Sequence, residues 1–266
     1  MKLKPVTNKR SIRLDDSAAK LRSPFKSKDA LERAMSAEVS RIDALQRIFY
    51  ADSRHALLIV LQGRDASGKD GTIRKVFSAV NPQGCTVTSF GVPNELEQRH
   101  DFLWRVHRAV PPKSMIGIFN RSHYEDVLVP RVHNLVPKKT WLARYDQINE
   151  FERMLSANDV VILKFMLHVS HDEQQARLTE RLTNKNKNWK FRREDLDDRA
   201  RWEAFTTAYR GLLSHTSTSW APWYVVAADD KPLRDWLIAR HIADTLEKLD
   251  LRYPPVDPVI VGLKVE

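Results

Sequence analysis

The strongest constraint on the fold is an apolar run followed by a glycine-rich loop. Residues 56–61 read Ala-Leu-Leu-Ile-Val-Leu, and an uninterrupted apolar run of this length is typical of a strand buried on both faces of a parallel sheet. Residues 63–69 read GRDASGK and fit the pattern G-x-x-x-x-G-K. A helical pattern then begins near Gly71. A strand, this loop and a helix in this order predict a phosphate-binding P-loop.

Further strand and helix patterns alternate along the chain. Apolar runs predict strands over 85–90, 115–119, 160–165 and 223–227. Helical periodicity predicts one helix that begins at Asp29 and others over 71–80, 95–110, 139–157, 171–182, 195–215 and 233–249. This alternation requires right-handed crossovers and favours an α/β fold of the P-loop kinase type, with an open, mostly parallel sheet flanked by helices.

The chain is predicted to be one domain with two flanking segments. Residues 1–28 are polar and basic and predict an N-terminal arm, residues 29–253 predict a single P-loop kinase domain, and the proline-containing residues 254–266 predict an extended C-terminal tail. Within the domain, residues 171–205 are rich in charge and predict a helical lid, which we call the lid segment.

The composition restricts the partners. Lysine and arginine exceed aspartate and glutamate, 44 to 34, and the formal net charge is +10. Such a surface attracts nucleic acid, an anionic membrane or a phosphate-rich substrate, unless it is only a solvated basic surface. No apolar run approaches the roughly 20 residues of a membrane-spanning helix, so no membrane partner is expected. Cys85 is the only cysteine, which excludes an internal disulfide and is typical of a reducing, cytoplasmic location.

The loop residues have separate predicted roles. Backbone amides point inward as donors to phosphate, and the following helix adds its positive N-terminal end. Lys69 reaches the outer phosphates as a mobile charge. A carboxylate near phosphates is repulsive unless a cation lies between them, so Asp65 predicts a Mg²⁺ site, with a helix cap as the alternative. Asp70 occupies the usual Ser or Thr position, where cap and metal roles remain open. The predicted phosphate-binding residues are Gly63, Arg64, Ala66, Ser67, Gly68, Asp70 and Gly71.

A second group of polar residues follows the third predicted strand. Ligands of open α/β sheets bind at the carboxyl ends of the strands, so residues 120–126 are expected to face the same phosphates as the loop. Arg121 has the planar fork that suits phosphoryl oxygens. Glu125 is a candidate for a metal or a ribose, or else a surface carboxylate. His123 and Tyr124 either stack on a base or pack in the core.

These segments resemble the polyphosphate kinase 2 family, P-loop kinases that use inorganic polyphosphate to phosphorylate nucleotides. The resemblance rests on residues 63–71, 119–126 and 221–226, and it extends from about Asp29 to Tyr253. It implies reversible transfer of a terminal phosphoryl group from polyphosphate to AMP or ADP, with Mg²⁺ as the cofactor and Mn²⁺ as a substitute. It also implies a homo-oligomer with no nucleic-acid partner.

The resemblance assigns further site residues. Asn120, His123, Tyr124 and Glu125 are expected to contact the nucleotide, and Arg105 the phosphate chain. Asn120 replaces the family's usual aspartate, which weakens a direct metal role there and leaves Asp65 as the expected metal ligand. The Asn-Arg-Ser-His-Tyr-Glu-Asp version is similar to the subgroup that accepts both AMP and ADP.

The lid segment supplies the last two predicted catalytic residues, beside Asp65, Lys69 and Arg121. Arg177 and Arg181 are four residues apart, so they lie on one helical face and both can reach the transferring phosphates. Closing a lid over phosphates excludes water, which otherwise competes for the phosphoryl group. The alternative is a solvated helix with surface ion pairs.

Two other functions remain open in the sequence. An ATP-dependent kinase for a nucleoside monophosphate or another small acceptor explains the loop and the lid segment equally well, although it does not explain Asp70. A nucleic-acid-binding P-loop protein would explain the charge, but no helix-turn-helix, zinc-finger or RNP pattern supports it.

Overall fold

Five parallel strands form the centre of the protein. In the computed structural model, which describes residues 1–7 and 12–265, the strands lie in the order β2-β3-β1-β4-β5. Every neighbouring pair is parallel, as the alternation of strands and helices predicted. The strands are β1 (Ala56–Gly63), β2 (Cys85–Ser89), β3 (Ile116–Asn120), β4 (Val160–His168) and β5 (Trp223–Ala227).

Helices cover both faces of the sheet. They are α1 (Lys28–Asp52), α2 (Lys69–Val76), α3 (Glu95–Gln98), α4 (Trp104–His107), α5 (Glu125–Val132), α6 (Lys138–Ala157), α7 (His171–Thr183), α8 (Glu194–Ala200), α9 (Trp202–Thr216) and α10 (Lys231–Glu247). One apolar core joins α1, α2 and α10 to one face, and a second joins α5, α6 and α9 to the other. None of the helices described is long and apolar enough to cross a membrane.

This layering explains the apolar run of β1. Leu58 and Val60 belong to the core beneath α5, α6 and α9, whereas Leu57, Ile59 and Leu61 belong to the core beneath α1, α2 and α10. Every residue of β1 is buried. Successive side chains of a strand point to opposite faces, so both halves of the alternation have to be apolar. The prediction of a strand buried on both faces is confirmed.

The helices differ from the prediction in three places. The helix predicted over 95–110 is two short helices, α3 and α4, and the one predicted over 195–215 is α8 and α9. Helix α5 was not predicted, because it contains Pro130, which has no N–H for the carbonyl of Asp126. A guanidinium N–H of Arg144 donates to that carbonyl instead, so the carbonyl is satisfied and the helix continues through the proline.

Described residues of the segment before α1, which the sequence predicts to be a basic N-terminal arm over residues 1–28, pack on the domain. Leu14 and Ala19 are buried, and the amide of Val6 donates to the carbonyl of Trp223 (2.8 Å). Residues 8–11 of that segment and Glu266 at the other end lie outside the described residues. In the predicted tail, residues 254–265 are exposed and mostly extended, apart from a 3₁₀ turn at Pro258–Ile260.

Candidate active site

The glycine-rich loop joins the end of β1 to the start of α2. Gly63 has a φ of 154°, and a Cβ there would lie 2.7 Å from the carbonyl oxygen of Leu167 on β4. Gly68 has a φ of 102°, and a Cβ there would lie 2.1 Å from Nη1 of Arg234 on α10. A larger residue at either position would have to displace its neighbour and adopt a disfavoured backbone conformation. The two glycines therefore let the loop pack directly against β4 and α10.

Lys69 is folded back beneath its own loop. Its Nζ donates to the carbonyl oxygens of Gly63 (2.7 Å) and Arg64 (3.2 Å), and the side chain is buried. Burial lowers the pKa of the ammonium group, an effect to which Arg121 adds and which three nearby carboxylates oppose. An anion bound by the loop would favour the charged form of this lysine.

Polar residues after β3 contact the loop directly. Asn120 pairs with Leu61 of β1 in the sheet, so the residues that follow it lie beside the loop. Nη2 of Arg121 donates to Oδ1 of Asp65 (2.7 Å), and Nδ2 of Asn120 donates to Oδ1 of Asp70 (2.6 Å). Arg121 has a φ of 62°, which is uncommon for a residue other than glycine. The structure thus brings four of the predicted site residues together at one edge of the sheet.

A large basic cleft opens over the loop. Its volume is about 640 Å³, and ten lysines and arginines line it against four carboxylates. A cleft lined by an excess of one charge attracts and concentrates ligands of the opposite charge. The basic residues are Lys69, Arg74, Arg121, Arg177, Arg181, Lys187, Lys190, Arg192, Lys231 and Arg234, and the acidic ones are Asp65, Asp70, Glu180 and Asp195.

A smaller pocket of about 70 Å³ adjoins the basic cleft. Asp65 and Arg121 line both cavities, so their ion pair lies between the cleft and this inner pocket. Glu125 and Asp198 also line this inner pocket. Burial raises the pKa of Glu125, against the lowering effect of Arg121 and Lys69. The structure therefore places Glu125 on the inner side of the ion pair and not in the basic cleft.

The lid segment forms one wall of the cleft. Arg181 lines the cleft and its Nη1 donates to Oδ2 of Asp195 (3.0 Å). Arg177 is buried, and all five of its N–H groups have acceptors within the protein. They are Glu173 and the carbonyls of Ala66, Ser67, Ala228 and Asp229. Two of these acceptors are loop carbonyls, so Arg177 is tied to the loop in this structure, and its contact with a transferring phosphate stays a prediction.

His123 and Tyr124 lie in the interior, which corrects their assignment to the nucleotide. Both side chains are fully buried. Glu152 accepts a hydrogen bond from Oη of Tyr124 (2.7 Å) and lies 3.1 Å from Nε2 of His123, and Nζ of Lys164 donates to the same carboxylate (2.6 Å). The turn that leads into α5 directs both rings toward α6 and β4, away from the cleft.

The side chains of Arg105 and Arg64, two predicted phosphate ligands, are not among those that line the cleft. Arg105 is buried, and its Nη2 donates to Oδ2 of Asp126 (3.1 Å). A buried guanidinium needs such a partner, because an unpaired buried charge is costly, so the pair with Asp126 stabilises Arg105 in this position, and its contact with the phosphate chain stays a prediction. The guanidinium of Arg64 lies 3.8 Å from the ring centre of Trp202 and donates to Oγ1 of Thr206 (2.6 Å). Only the backbone of Arg64 therefore remains available to a phosphate.

Several cleft residues were not singled out in the sequence, some at the start of α10 and some within the predicted lid segment. Lys231 and Arg234, at the start of α10, line the cleft, as do Trp189 and Lys190 in the lid segment. Helix α10 follows β5, and ligand-binding residues collect at the carboxyl ends of parallel strands, so this rule could have indicated the first two. No motif or periodicity indicates Trp189, which is 78% exposed.

The donor set of the cleft fits Mg²⁺. Residues 1–7 and 12–265 contain no cluster of three or more metal-ligating side chains, but Mg²⁺ does not need one. It keeps several waters and is bound by one or two carboxylates together with phosphates of the substrate. Asp65, which lines the cleft at the loop, supplies a carboxylate in the required place.

The parallel sheet, the loop and the basic cleft define a P-loop phosphate-binding protein of the kinase type. The sequence profile of Polyphosphate kinase 2 (PPK2) matches residues 25–254. The chain therefore belongs to the polyphosphate kinase 2 family, and the predicted family, fold class and enzyme class are confirmed.

Individual relatives agree with this family. The chain is 52% identical over 239 residues to an AMP/ADP-polyphosphate phosphotransferase of Meiothermus ruber, covering 90% of each chain. It is 44% identical over 246 residues to an ADP-polyphosphate phosphotransferase of Rhodopseudomonas palustris, covering 88% of this chain and 85% of that one. The crystal structure of polyphosphate kinase 2 from Arthrobacter aurescens TC1 superposes with a TM-score of 0.85 at 34% identity, covering 96% of this chain and 95% of that one.

Proposed function

We propose that this chain transfers the terminal phosphoryl group of inorganic polyphosphate to AMP and to ADP, reversibly. The observation that carries the proposal is the cleft over the P-loop, where ten cationic side chains face four carboxylates. Such a cleft suits a linear donor with about one negative charge per phosphate. The names of the relatives at 52% and 44% identity support AMP and ADP as acceptors.

Catalysis would consist mainly of positioning and charge neutralisation. The acceptor atom is a phosphate oxygen that is already anionic, so no strong general base is required. That oxygen forms a bond to the terminal phosphorus of polyphosphate while the bond to the bridging oxygen breaks, and the chain leaves one phosphate shorter. Lys69 beneath the loop and Arg121 beside it would neutralise charge on the transferring group, and Arg181 would contribute from the lid segment.

We further propose Mg²⁺ as the cofactor, with Mn²⁺ able to replace it. Asp65 would hold the ion, and Asp65 would then have to exchange its ion pair with Arg121 for the metal. When bound, the metal supplies positive charge between the donor and acceptor phosphates. The same exchange would leave the guanidinium of Arg121 free to contact the transferring phosphoryl group.

The test is a matrix of donors and acceptors with the purified protein. Polyphosphate and Mg²⁺ are combined with AMP, ADP, GMP or GDP, and we expect ADP and ATP to form from the adenine nucleotides. Lys69→Ala is the inactive control. Absence of any nucleotide product contradicts the proposal, whereas ATP outcompeting polyphosphate at equal phosphate concentration favours an ATP-dependent kinase. Tight duplex binding that polyphosphate does not displace favours a nucleic-acid-binding protein.

The assembly and the compartment belong to the same proposal. We propose a homo-oligomer, because the edge strand β2 and the loop after it expose Val87 and Val92, and unpaired strand edges with apolar side chains favour association. The molar mass in solution checks this. We propose a cytoplasmic location without a nucleic-acid or membrane partner, which is consistent with the single cysteine, Cys85.

A further inference from the structure

Two buried arginines that also line the cleft, Arg177 and Arg234, donate hydrogen bonds to carbonyls of the loop. Nη1 of Arg177 donates to the carbonyls of Ala66 (2.9 Å) and Ser67 (3.2 Å), and Nη1 of Arg234 donates to the carbonyl of Ser67 (3.0 Å). Arg177 comes from α7 and Arg234 from α10. The Ser67 carbonyl thus accepts hydrogen bonds from two helices that are far apart in the sequence.

A neighbouring carboxylate fixes the orientation of Arg234. Oδ1 of Asp235 accepts hydrogen bonds from Nε (2.9 Å) and Nη2 (2.8 Å) of Arg234, and from Oγ1 of Thr72 on α2 (2.7 Å). Arg234 is 1% exposed and Asp235 is 6% exposed. Two donors on one side of the guanidinium are therefore occupied by Asp235, which leaves Nη1 directed at the loop.

The bond to the Ser67 carbonyl has a consequence for the next amide. In a trans peptide the C=O and the N–H point in opposite directions. Holding the Ser67 oxygen toward Arg234 therefore turns the Gly68 N–H to the opposite side. Among the described residues no acceptor takes that N–H, and Gly68 lines the cleft. An inward-facing amide of this kind is what a P-loop offers to a phosphate oxygen.

The glycine and the arginine also fit each other sterically. A Cβ at Gly68 would lie 2.1 Å from Nη1 and 2.9 Å from Cζ of Arg234, so the guanidinium occupies the space directly beside the glycine. The positive φ of Gly68, 102°, is a conformation that glycine adopts without cost. The loop conformation at Gly68 and the position of Arg234 therefore depend on each other.

We propose that Arg234 and Asp235 act as a positioning pair, which orients the Ser67–Gly68 peptide so that its amide binds a phosphate of the donor. Arg234 and Asp235 act through the loop. The identity of the donor rests on the function proposed above, whereas the positioning requires only a phosphate-chain ligand. Phosphate binding would then depend on two residues of α10, the last α-helix described, as well as on β1, β3 and the lid segment.

Equilibrium binding of tripolyphosphate, measured by calorimetry without turnover, tests the pair. Asp235→Asn keeps the shape of the side chain but removes its charge, and Arg234→Gln removes the charged guanidinium whose Nη1 donates to the Ser67 carbonyl. We expect each variant to weaken tripolyphosphate binding about tenfold or more. This is the effect of losing one charge-assisted hydrogen bond, here the bond between the Gly68 amide and a phosphate oxygen. We expect KM for polyphosphate to rise and kcat to fall, with KM for ADP changed less than about twofold. Arg234→Lys, with one ammonium for two acceptors, should be intermediate.

The matched control is Asp244→Asn on the same helix. Asp244 also pairs with an arginine, Arg41, in a bond of 2.8 Å, but it does not line the cleft. We expect its thermal unfolding to change without any change in tripolyphosphate binding. If Asp235→Asn and Arg234→Gln bind tripolyphosphate as Asp244→Asn does, the pair has only a structural role and the inference is wrong.

Two further outcomes separate this inference from the proposed function. A wild-type protein that binds tripolyphosphate but phosphorylates neither AMP nor ADP contradicts the proposed function, and the variants still decide the inference by binding alone. A wild-type protein that does not bind tripolyphosphate contradicts both. If Arg234→Gln does not fold, Asp235→Asn decides by the same comparison.

Discussion

At the scale of single residues, the ion pair between Asp65 and Arg121 occupies both side chains before a ligand binds in the cleft. The 2.7 Å bond neutralises both groups, and the pair separates the basic cleft from the inner pocket. A metal at Asp65 would compete with this bond, because the carboxylate cannot serve the guanidinium and the ion fully at once. The charge on Asp65 is therefore more important to the proposed chemistry than its hydrogen-bonding shape.

Replacing Asp65 with asparagine separates these two properties. Asp65→Asn keeps an acceptor for Arg121 but lacks the negative charge that holds Mg²⁺. We expect kcat with polyphosphate and ADP to fall by about 100-fold or more, with little change in melting temperature, because one electrostatic contact at the transition state is lost. Steady-state kinetics over a range of Mg²⁺ concentrations measure this. An Asp65→Asn enzyme with wild-type kcat at ordinary Mg²⁺ rejects the metal role of Asp65.

The buried group around Glu152 makes a prediction about stability. Its carboxylate accepts from Lys164 (2.6 Å) and from Tyr124 (2.7 Å), and all three side chains are fully buried. Glu152→Gln leaves the Lys164 charge without its counterion, and breaking such a pair costs about 3–5 kcal/mol of unfolding free energy. Denaturant unfolding measures this loss.

The control for Glu152 is the double variant Glu152→Gln/Lys164→Met, which removes both charges. We expect it to be more stable than Glu152→Gln alone, because no uncompensated charge remains buried. Equal stability of the single and double variants would show that the loss of unfolding free energy comes from the changed shape of Glu152. It would contradict the role of the uncompensated Lys164 charge.

At the scale of elements, the lid segment combines charge with one exposed aromatic ring. Trp189 is 78% exposed and lines the cleft, and its Nε1 donates to the carbonyl of Asn186 (3.1 Å). Nζ of Lys190 lies 5.0 Å from the ring centre. A large apolar ring exposed beside a ligand cleft is unusual, and a flat ring fixed by its own N–H is suited to stack on a nucleobase.

The lid segment therefore yields a prediction about the acceptor. We expect Trp189→Ala to raise KM for AMP and ADP by about 5-fold or more while KM for polyphosphate stays nearly constant, because stacking on a base contributes about 1–3 kcal/mol. Trp189→Phe should retain most of the affinity. The control is Trp220→Ala, since Trp220 is partly exposed but lies outside the cleft. A rise in KM for polyphosphate alone would assign Trp189 to the donor instead.

The sequence predicts some elements of the fold and misses others. The strand β1 and its loop were predictable, because burial on both faces demands an apolar run and phosphate contact demands glycines. Helix α5 was not predictable, since Arg144 satisfies the carbonyl that Pro130 leaves free and this contact depends on tertiary structure. The split of the helix predicted over 95–110 into α3 and α4 likewise has no clear signal in periodicity.

The sequence predicts those residues of the candidate site that come just after the end of a strand. Asp65 and Arg121 come directly after β1 and β3, and the structure joins them. His123 and Tyr124 belong to the same segment but turn into the core, and the choice between cleft and core depends on Glu152, which no local pattern connects to them. Arg234 lies 167 residues from Ser67 in sequence, so only the folded chain reveals their contact.

At the scale of the whole molecule, positive charge is concentrated where the strands end. The net charge of the chain is +10, and ten of its cationic side chains line one cleft. Some of these, such as Arg177 and Arg234, are buried and paired, so they act on the shape of the loop. Others, such as Lys187 and Arg192, lie in the lid segment at the cleft wall. Part of the positive charge of the protein therefore shapes the loop, and part of it is available to an anionic ligand in the cleft.

Stability of the whole fold should depend on pH through a histidine outside the cleft. His241 on α10 lies against Tyr224 and Phe165, with ring centres 4.2 Å and 5.7 Å away. Its Nε2 is buried without a hydrogen-bond partner among the described residues. Burial lowers the pKa of His241 to about 4, with Lys248 adding to the effect and Asp244 opposing it. The native protein therefore keeps this ring neutral at pH values where the unfolded chain, with an ordinary pKa near 6.5, protonates it.

The sign of the pH dependence follows from this difference. Because the folded pKa lies below the unfolded one, the stabilisation is complete above about pH 6.5 and is lost as the pH falls toward 4. A difference of this size corresponds to at most about 3 kcal/mol of unfolding free energy. We expect His241→Phe, which cannot be protonated, to lose less stability than the wild type between pH 7 and 4. Urea unfolding of both proteins across this range measures the difference, and parallel curves would show that His241 does not titrate with folding.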